Sequence, residues 1–211
     1  MSAMTLQLLG DSITQGAGAS TYDKCYAALL ESEWGWHVIN GGIGGTRIAR
    51  QTKPSEFPEY DQDFCMRADA LDGKADALVI FGGVNDWGHG DAPLGQPTDR
   101  GVYTFYGALH HLYETVCLKY IGKPILVVTP LRTQGDEKAN AEGKAPLLAY
   151  RNAILEVALR FSLPVLDLYA TGGFQPEYPE VRTLLMPDGL HPSDAGHRIV
   201  ARRIHRALSL L

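Results

Sequence analysis

Cysteine is scarce in this 211-residue chain: Cys25, Cys65 and Cys117 are odd in number and far apart. That spacing excludes a disulfide framework and shows none of the short Cys or Cys/His pairs of a zinc site. All three are expected to be buried thiols, with no metal. Positive charge is also short, with 19 Lys and Arg against 24 Asp and Glu for a net charge of -5, and no basic block long enough to track a phosphate backbone. Nucleic acid is not an expected partner. No apolar run reaches the ~18 residues of a membrane helix, so no membrane span is expected. The opening Met1-Ser2-Ala3-Met4 leads straight into Thr5-Leu6-Gln7-Leu8-Leu9, too short and too uncharged for a signal peptide. A cytoplasmic, soluble protein is the expectation. At 45% hydrophobic and 20% charged residues the chain can bury a sizeable core, which argues against disorder.

Glycine, by contrast, is in surplus. The 23 glycines in 211 residues are about 11% of the chain, against a background near ~7%. Most of the excess lies in three stretches, Gly10 to Gly18, Gly41 to Gly45 and Gly82 to Gly90, each directly after an apolar run.

Short apolar runs alternate with helix-period segments along the whole chain. The runs Thr5–Leu9, His37–Asn40, Ala77–Phe81, Ile125–Thr129 and Val165–Leu168 read as strands. Tyr22 to Trp34, Val102 to Tyr120, Ala145 to Phe161 and Ser193 to the end read as helices, with a weaker candidate over 60–70. Continuous rather than alternating apolar runs imply strands covered on both faces, and strand-helix alternation implies a parallel sheet. The expected class is three-layer α/β/α in one domain over residues 1–211. The longer loops, 82–101, 130–145 and 169–192, fall with the glycine clusters at the carboxyl ends of the strands, where such sheets bind ligands.

Four places there carry candidate chemistry. Gly10-Asp11-Ser12-Ile13-Thr14-Gln15-Gly16 puts a serine just past a strand end, where a nucleophile can stand above the sheet edge. Ser12 and Gln15 also have capping-box spacing, under which Ser12 would simply cap a short helix. Near the other end, Asp188-Gly189-Leu190-His191-Pro192 holds His191 in an extended loop, with Asp188 near enough to bind one imidazole nitrogen and leave the other free. The same residues could be no more than a turn and a helix boundary. His37, His89, His110, His111, His197 and His205 have no comparable arrangement, although His89 lies in a glycine-rich loop. Gly41-Gly42-Ile43-Gly44-Gly45 would let a backbone N–H point at a ligand oxygen, and Gly83-Val84-Asn85-Asp86 could offer an amide or only a turn asparagine. Neither is a dinucleotide fingerprint.

Taken in order, Gly10-Asp11-Ser12, Gly45, Gly83-Val84-Asn85-Asp86 and Asp188-Gly189-Leu190-His191-Pro192 resemble the SGNH hydrolases, also called the GDSL esterase/lipase family. The resemblance spans nearly the whole chain. It implies a flavodoxin-like sheet of five parallel strands and a serine hydrolase site without metal or cofactor. Ser12 would be the nucleophile, His191 the general base and Asp188 the group orienting it. The N–H groups of Ser12 and Gly45 and the side-chain amide of Asn85 would form the oxyanion hole. The second block departs from the pattern: Thr46 stands where relatives often carry an acidic residue, and the run of glycines leaves Gly44 as an alternative register.

The expected activity is hydrolysis of small acyl esters, acetyl on carbohydrate above all. A thioesterase or lysophospholipase of the same family is the alternative, and a non-catalytic binding module or a flavin or nucleotide binder the other classes. Trp87, His89 and Arg132, with Asp91 and Gln134, are expected to touch substrate. Gly10 is expected to clear the approach to Ser12, and Asp11 to support the site loops.

Overall fold

The computed structural model describes residues 3–139 and 145–211. Among them, five strands form one parallel sheet: β1 (Thr5–Gly10), β2 (His37–Gly42), β3 (Ala77–Phe81), β4 (Ile125–Val128) and β5 (Val165–Leu166), in the order β2-β1-β3-β4-β5. The helices are α1 (Ser12–Gln15), α2 (Tyr26–Trp34), α3 (Phe64–Ala70), α4 (Val84–Gly88), α5 (Phe105–Lys119), α6 (Leu147–Arg160), α7 (Leu168–Thr171), α8 (Pro179–Leu185) and α9 (Asp194–Leu208). This is the expected α/β class.

The apolar runs explain the layers. Successive strand side chains point to opposite faces, so Leu78 and Ile80 of β3 enter one core while Ala77, Val79 and Phe81 enter the other. The first core is closed by Phe64 and Cys65 of α3, Phe105, Leu109 and Tyr113 of α5, and Tyr150 and Ile154 of α6. The second is closed by Tyr26, Leu29 and Leu30 of α2 and Val200, Ile204 and Leu208 of α9. Both faces are covered, as uninterrupted Val/Ile/Leu runs require.

Several expected boundaries move. The Tyr22–Trp34 segment breaks at Cys25, whose extended backbone (ψ 156°) separates a 3-10 turn over Tyr22–Lys24 from α2. The 60–70 candidate becomes a 3-10 turn, Pro58–Asp61, followed by α3. The 169–192 loop carries part of α7 and all of α8, and the 82–101 loop begins with α4. The 130–145 loop lies partly outside the described residues. Of the cysteines, Cys25 and Cys65 are buried, whereas Cys117 is half-buried; all are free thiols. No helix among the described residues is long and apolar enough to cross a membrane.

The carboxyl ends of β1, β2 and β3 carry the first three blocks. Gly10 and Gly42 allow α1 to sit directly on the sheet end. A Cβ at Gly10 would stand 1.9 Å from Thr14 Oγ1, and one at Gly42 2.1 Å from the Gln15 nitrogen. Gly10 thus makes room for Thr14, not for an approach to Ser12.

Candidate active site

Asp11, not Ser12, caps α1. Its Oδ1 accepts the Ile13 N–H at 3.0 Å, as an N-cap carboxylate does. The capping-box reading of Ser12 therefore fails, and the Ser12 hydroxyl is released for other contacts. Asp11 is buried, and that burial pushes its carboxyl up to about 6 against the opposing pull of the Ile13 N–H and the His191 and Arg67 charges.

Ser12 and His191, 179 residues apart in sequence, meet with Ser12 Oγ 3.1 Å from His191 Nε2. The other ring nitrogen, Nδ1, lies 2.7 Å from Asp188 Oδ2. Because a carboxylate only accepts, Nδ1 carries the proton and Nε2 is left to accept from Ser12. Asp188 Oδ1 in turn accepts the backbone N–H groups of Leu190 (2.9 Å) and His191 (2.7 Å). Partial burial would raise the Asp188 carboxyl, but these hydrogen bonds and the imidazole hold it below its ordinary value.

The two halves of this arrangement are latched together. The Ser20 N–H and hydroxyl both donate to Asp194 at 2.7 Å, at the start of α9. The buried His197 accepts the Tyr26 N–H on Nδ1 (3.2 Å) and donates from Nε2 to the Ala17 carbonyl (3.0 Å). Gly18, at φ +87°, passes so close under His191 that a Cβ would lie 2.8 Å from the His191 Cβ.

The second and third blocks are pinned to one another. Asp86 accepts the N–H groups of Ile48 and Ala49, both at 2.8 Å, and its burial pushes its carboxyl up to about 7. Asn85 Nδ2 donates to the Thr46 carbonyl at 2.9 Å, which engages one of its two hydrogens. Arg67 of α3 reaches across and donates to the carbonyls of Gly10 (3.1 Å) and Gly41 (2.7 Å) and to Thr46 Oγ1 (2.9 Å). Thr46 thus has its own work: its hydroxyl joins Arg67 to the Ile43 carbonyl, 2.8 Å away.

The glycines of the second block differ in a way that bears on register. The Gly44 N–H donates to Gln15 Oε1 at 2.9 Å. The N–H groups of Gly45 and Ser12 donate to no group among the described residues. Gly45 has φ +72°, and a Cβ there would meet the Tyr60 ring at 2.3 Å before anything else. Tyr60 lies between Phe57 and His89, with ring centroids 5.1 and 5.8 Å away, so an aromatic wall borders this end of the site.

The expected substrate contacts separate. His89 adjoins the site, with Nε2 3.2 Å from Asn85 Oδ1. Trp87 packs against the core and donates to the Lys138 carbonyl at 3.4 Å. The Gln134 side chain packs over Gly189, and the Gln134 backbone N–H donates to the Gly189 carbonyl at 2.8 Å. Arg132 is paired with Asp136 (2.7 Å) and Glu137 (2.9 Å) and lines a cavity of about 410 Å³ with Arg151, Tyr169 and Phe174, which Ser12 and His191 do not line. The Asp91 carboxylate is engaged by Thr52 and Lys53, so it braces a loop. Arg47, Arg67, Tyr60 and Gly18 were not legible as site residues. His89, by contrast, is expected from its place in a glycine-rich loop, as a substrate contact. No group of three or more His, Cys, Asp or Glu side chains placed to hold a metal occurs among the described residues.

The model of the GDSL-like lipase/acylhydrolase family matches residues 8–199. An acetylxylan esterase of Geobacillus stearothermophilus is 27% identical over 225 residues, covering 96% of this chain and 93% of the relative. Among solved structures, a protein from Lactobacillus plantarum is 30% identical with a TM-score of 0.84, over 100% of this chain and 98% of its own. A two-domain esterase active on acetylated mannans is 25% identical with a TM-score of 0.66; 99% of this chain matches 49% of that one.

Proposed function

The chain belongs to the GDSL-like lipase/acylhydrolase family, and on that premise we propose that it is a serine esterase that removes small acyl groups, acetyl above all, from carbohydrate. The observation that carries this reading is the chain of contacts from Ser12 Oγ to His191 Nε2 and from Nδ1 to Asp188, together with backbone N–H groups at Ser12 and Gly45 that donate to no group among the described residues.

In this reading Ser12 Oγ adds to the acyl carbon while its proton passes to His191 Nε2. The N–H groups of Ser12 and Gly45 and the second hydrogen of Asn85 Nδ2 receive the oxyanion. Collapse expels the sugar alkoxide, which takes the proton from His191 Nε2. Water, deprotonated by the same nitrogen, then releases the acid and restores Ser12. Gly45 rather than Gly44 fills the donor role because Gln15 already holds the Gly44 N–H. The small-acyl assignment is favoured by the Tyr60 ring, which stands close against Gly45. Two relatives described as acting on acetylated polysaccharides, the acetylxylan esterase and the mannan-active esterase, favour a carbohydrate leaving group.

The test is a panel of acetylated sugars, p-nitrophenyl esters of graded length and acyl-thioesters, with Ser12→Ala as control. Acetyl esters should be cleaved fastest, and a fluorophosphonate should label the protein once, at Ser12. A preference for chains of eight carbons or more, or for thioesters, would overturn the substrate assignment; neither labelling nor turnover would overturn the activity.

A further inference from the structure

Asn85 is held from the side opposite its Thr46 contact by a two-residue relay. Asn85 Oδ1 lies 3.2 Å from His89 Nε2, and His89 Nδ1 lies 3.1 Å from Arg47 Nη1. A guanidinium has five donors and no acceptor, so the roles along this line follow without choice. Arg47 Nη1 donates, His89 Nδ1 accepts, and the neutral imidazole carries its hydrogen on Nε2. The atom of Asn85 that faces Nε2–H must then be the oxygen.

The amide nitrogen is thereby directed to the Thr46 carbonyl, and in the oxyanion reading of Asn85 its second hydrogen is the one offered to the acyl oxygen as it becomes negative. An amide turned by 180° would present an acceptor to that charge instead. Arg47 is itself fixed. Its side chain is only 3% exposed, and Nη2 donates to the Ser55 hydroxyl (2.5 Å) and to Asp61 (3.0 Å). Asp61 is in turn tied to the Ser55 N–H at 2.9 Å.

We propose that Arg47 and His89 are positioning residues for the esterase reaction: Arg47 sets the tautomer of His89, and His89 sets the orientation of the Asn85 amide. This rests on the reading of Asn85 as an oxyanion donor. The relay gives His89 a role that needs no contact with substrate, although it borders the site. Donation into Asn85 Oδ1 also polarises the amide, which makes its N–H groups better donors to an anion.

The experiment is a double-mutant cycle on kcat for p-nitrophenyl acetate, with His89→Ala, Asn85→Ala and the pair, each checked for an unchanged circular dichroism spectrum and for fluorophosphonate labelling of Ser12. His89→Ala alone should lower kcat by roughly 10- to 100-fold with KM little changed, a fraction of the ~10²–10³ that follows loss of an oxyanion donor. In the Asn85→Ala background the same substitution should cost less than about 2-fold, since a group acting only through Asn85 has nothing left to act on. His89→Gln, which can still accept from Arg47 and donate to Asn85, should recover most of the rate. Full activity in His89→Ala, or an equal loss in both backgrounds, would remove the relay and leave the esterase reading intact. Wild-type kcat in Asn85→Ala with Ser12 still labelled would remove the oxyanion role of Asn85 and the relay with it.

Discussion

Gln15 Oε1 accepts the Gly44 N–H at 2.9 Å, whereas the Gly45 N–H donates to no group among the described residues. The two glycines should therefore respond differently to a methyl group. At Gly44 a Cβ meets Gln15 Oε1 at 2.8 Å, the far end of a flexible side chain. At Gly45 it meets the Tyr60 ring at 2.3 Å, on a backbone at φ +72° that L side chains rarely adopt. Gly45→Ala should lower kcat by about 10² or more, on the scale of a lost oxyanion donor, and Gly44→Ala by less than about 10-fold. Equal losses in steady-state assays of the two variants would contradict the assignment of Gly45.

Asp188→Asn should be far more damaging than the loss of one charge suggests. Asp188 Oδ1 accepts the N–H groups of Leu190 and His191, so an asparagine must keep its oxygen on that side. Its NH2 group then faces His191 Nδ1, which becomes the acceptor, and the ring hydrogen moves to Nε2, opposite Ser12. In that tautomer the imidazole cannot take the serine proton. The expected loss in kcat at neutral pH is up to ~10⁴, as for the same change in other serine triads. Ser12→Ala and His191→Ala should abolish nearly all turnover. A His191→Ala variant that kept its rate would dismiss the imidazole as base.

The parts of this site that were legible from sequence are those whose signals are local. Ser12, Asn85 and His191 each follow an apolar run or precede a helix, and the five runs gave the sheet because buried parallel strands need uninterrupted apolar residues. Partners brought in by the fold were not legible. Arg67 reaches Gly10 from 57 residues away and Arg47 reaches His89 from 42, and neither distance leaves a pattern in the chain. Asp11 displaced Ser12 as the cap because an aspartate one residue earlier could reach the Ile13 N–H. The short helix α8 has no clear apolar periodicity in the sequence because none of its residues is fully buried.

The buried Asp11 should leave a mark on stability that depends on pH. Its carboxyl sits at about 6 in the folded protein against an ordinary value of 3.8. A raised value means that the folded state binds the proton more tightly, so stability is lost as pH rises from about 4 to about 6 and stays lost above that. At about 1.36 kcal/mol per unit the penalty is at most about 3 kcal/mol. Asparagine caps a helix as well as aspartate does, and it carries no charge to bury. Asp11→Asn should therefore melt at a higher temperature than the parent at pH 8, and the gap should close as the pH approaches 4. Taking the difference between the two proteins cancels the contributions of Asp86 and His197. A gap that stays constant across this range would rule out the buried charge as its source.

Glycines of the same surplus should give opposite results when a methyl group is added. Gly42 lies where α1 rests on β2, and its N–H donates to Asn40 Oδ1 at 2.9 Å while Asn40 Nδ2 holds the Thr14 carbonyl at 2.9 Å. A Cβ at Gly42 would stand 2.1 Å from the Gln15 nitrogen and 2.5 Å from the Thr14 carbonyl carbon, both backbone atoms that cannot swing aside. Gly42→Ala must lift α1 off the sheet, at a cost above the ~1–3 kcal/mol usual for overpacking, and it carries Ser12 away from His191. Both the melting temperature and fluorophosphonate labelling of Ser12 should fall. Gly88, in α4, has nothing within 4 Å of its Cβ position, so Gly88→Ala should stabilise by about 0.5–1 kcal/mol through helix propensity and a less disordered unfolded chain. Calorimetry and labelling of the two variants side by side would check both, and a Gly42→Ala protein as stable and as reactive as the parent would show that α1 does not need that close seat.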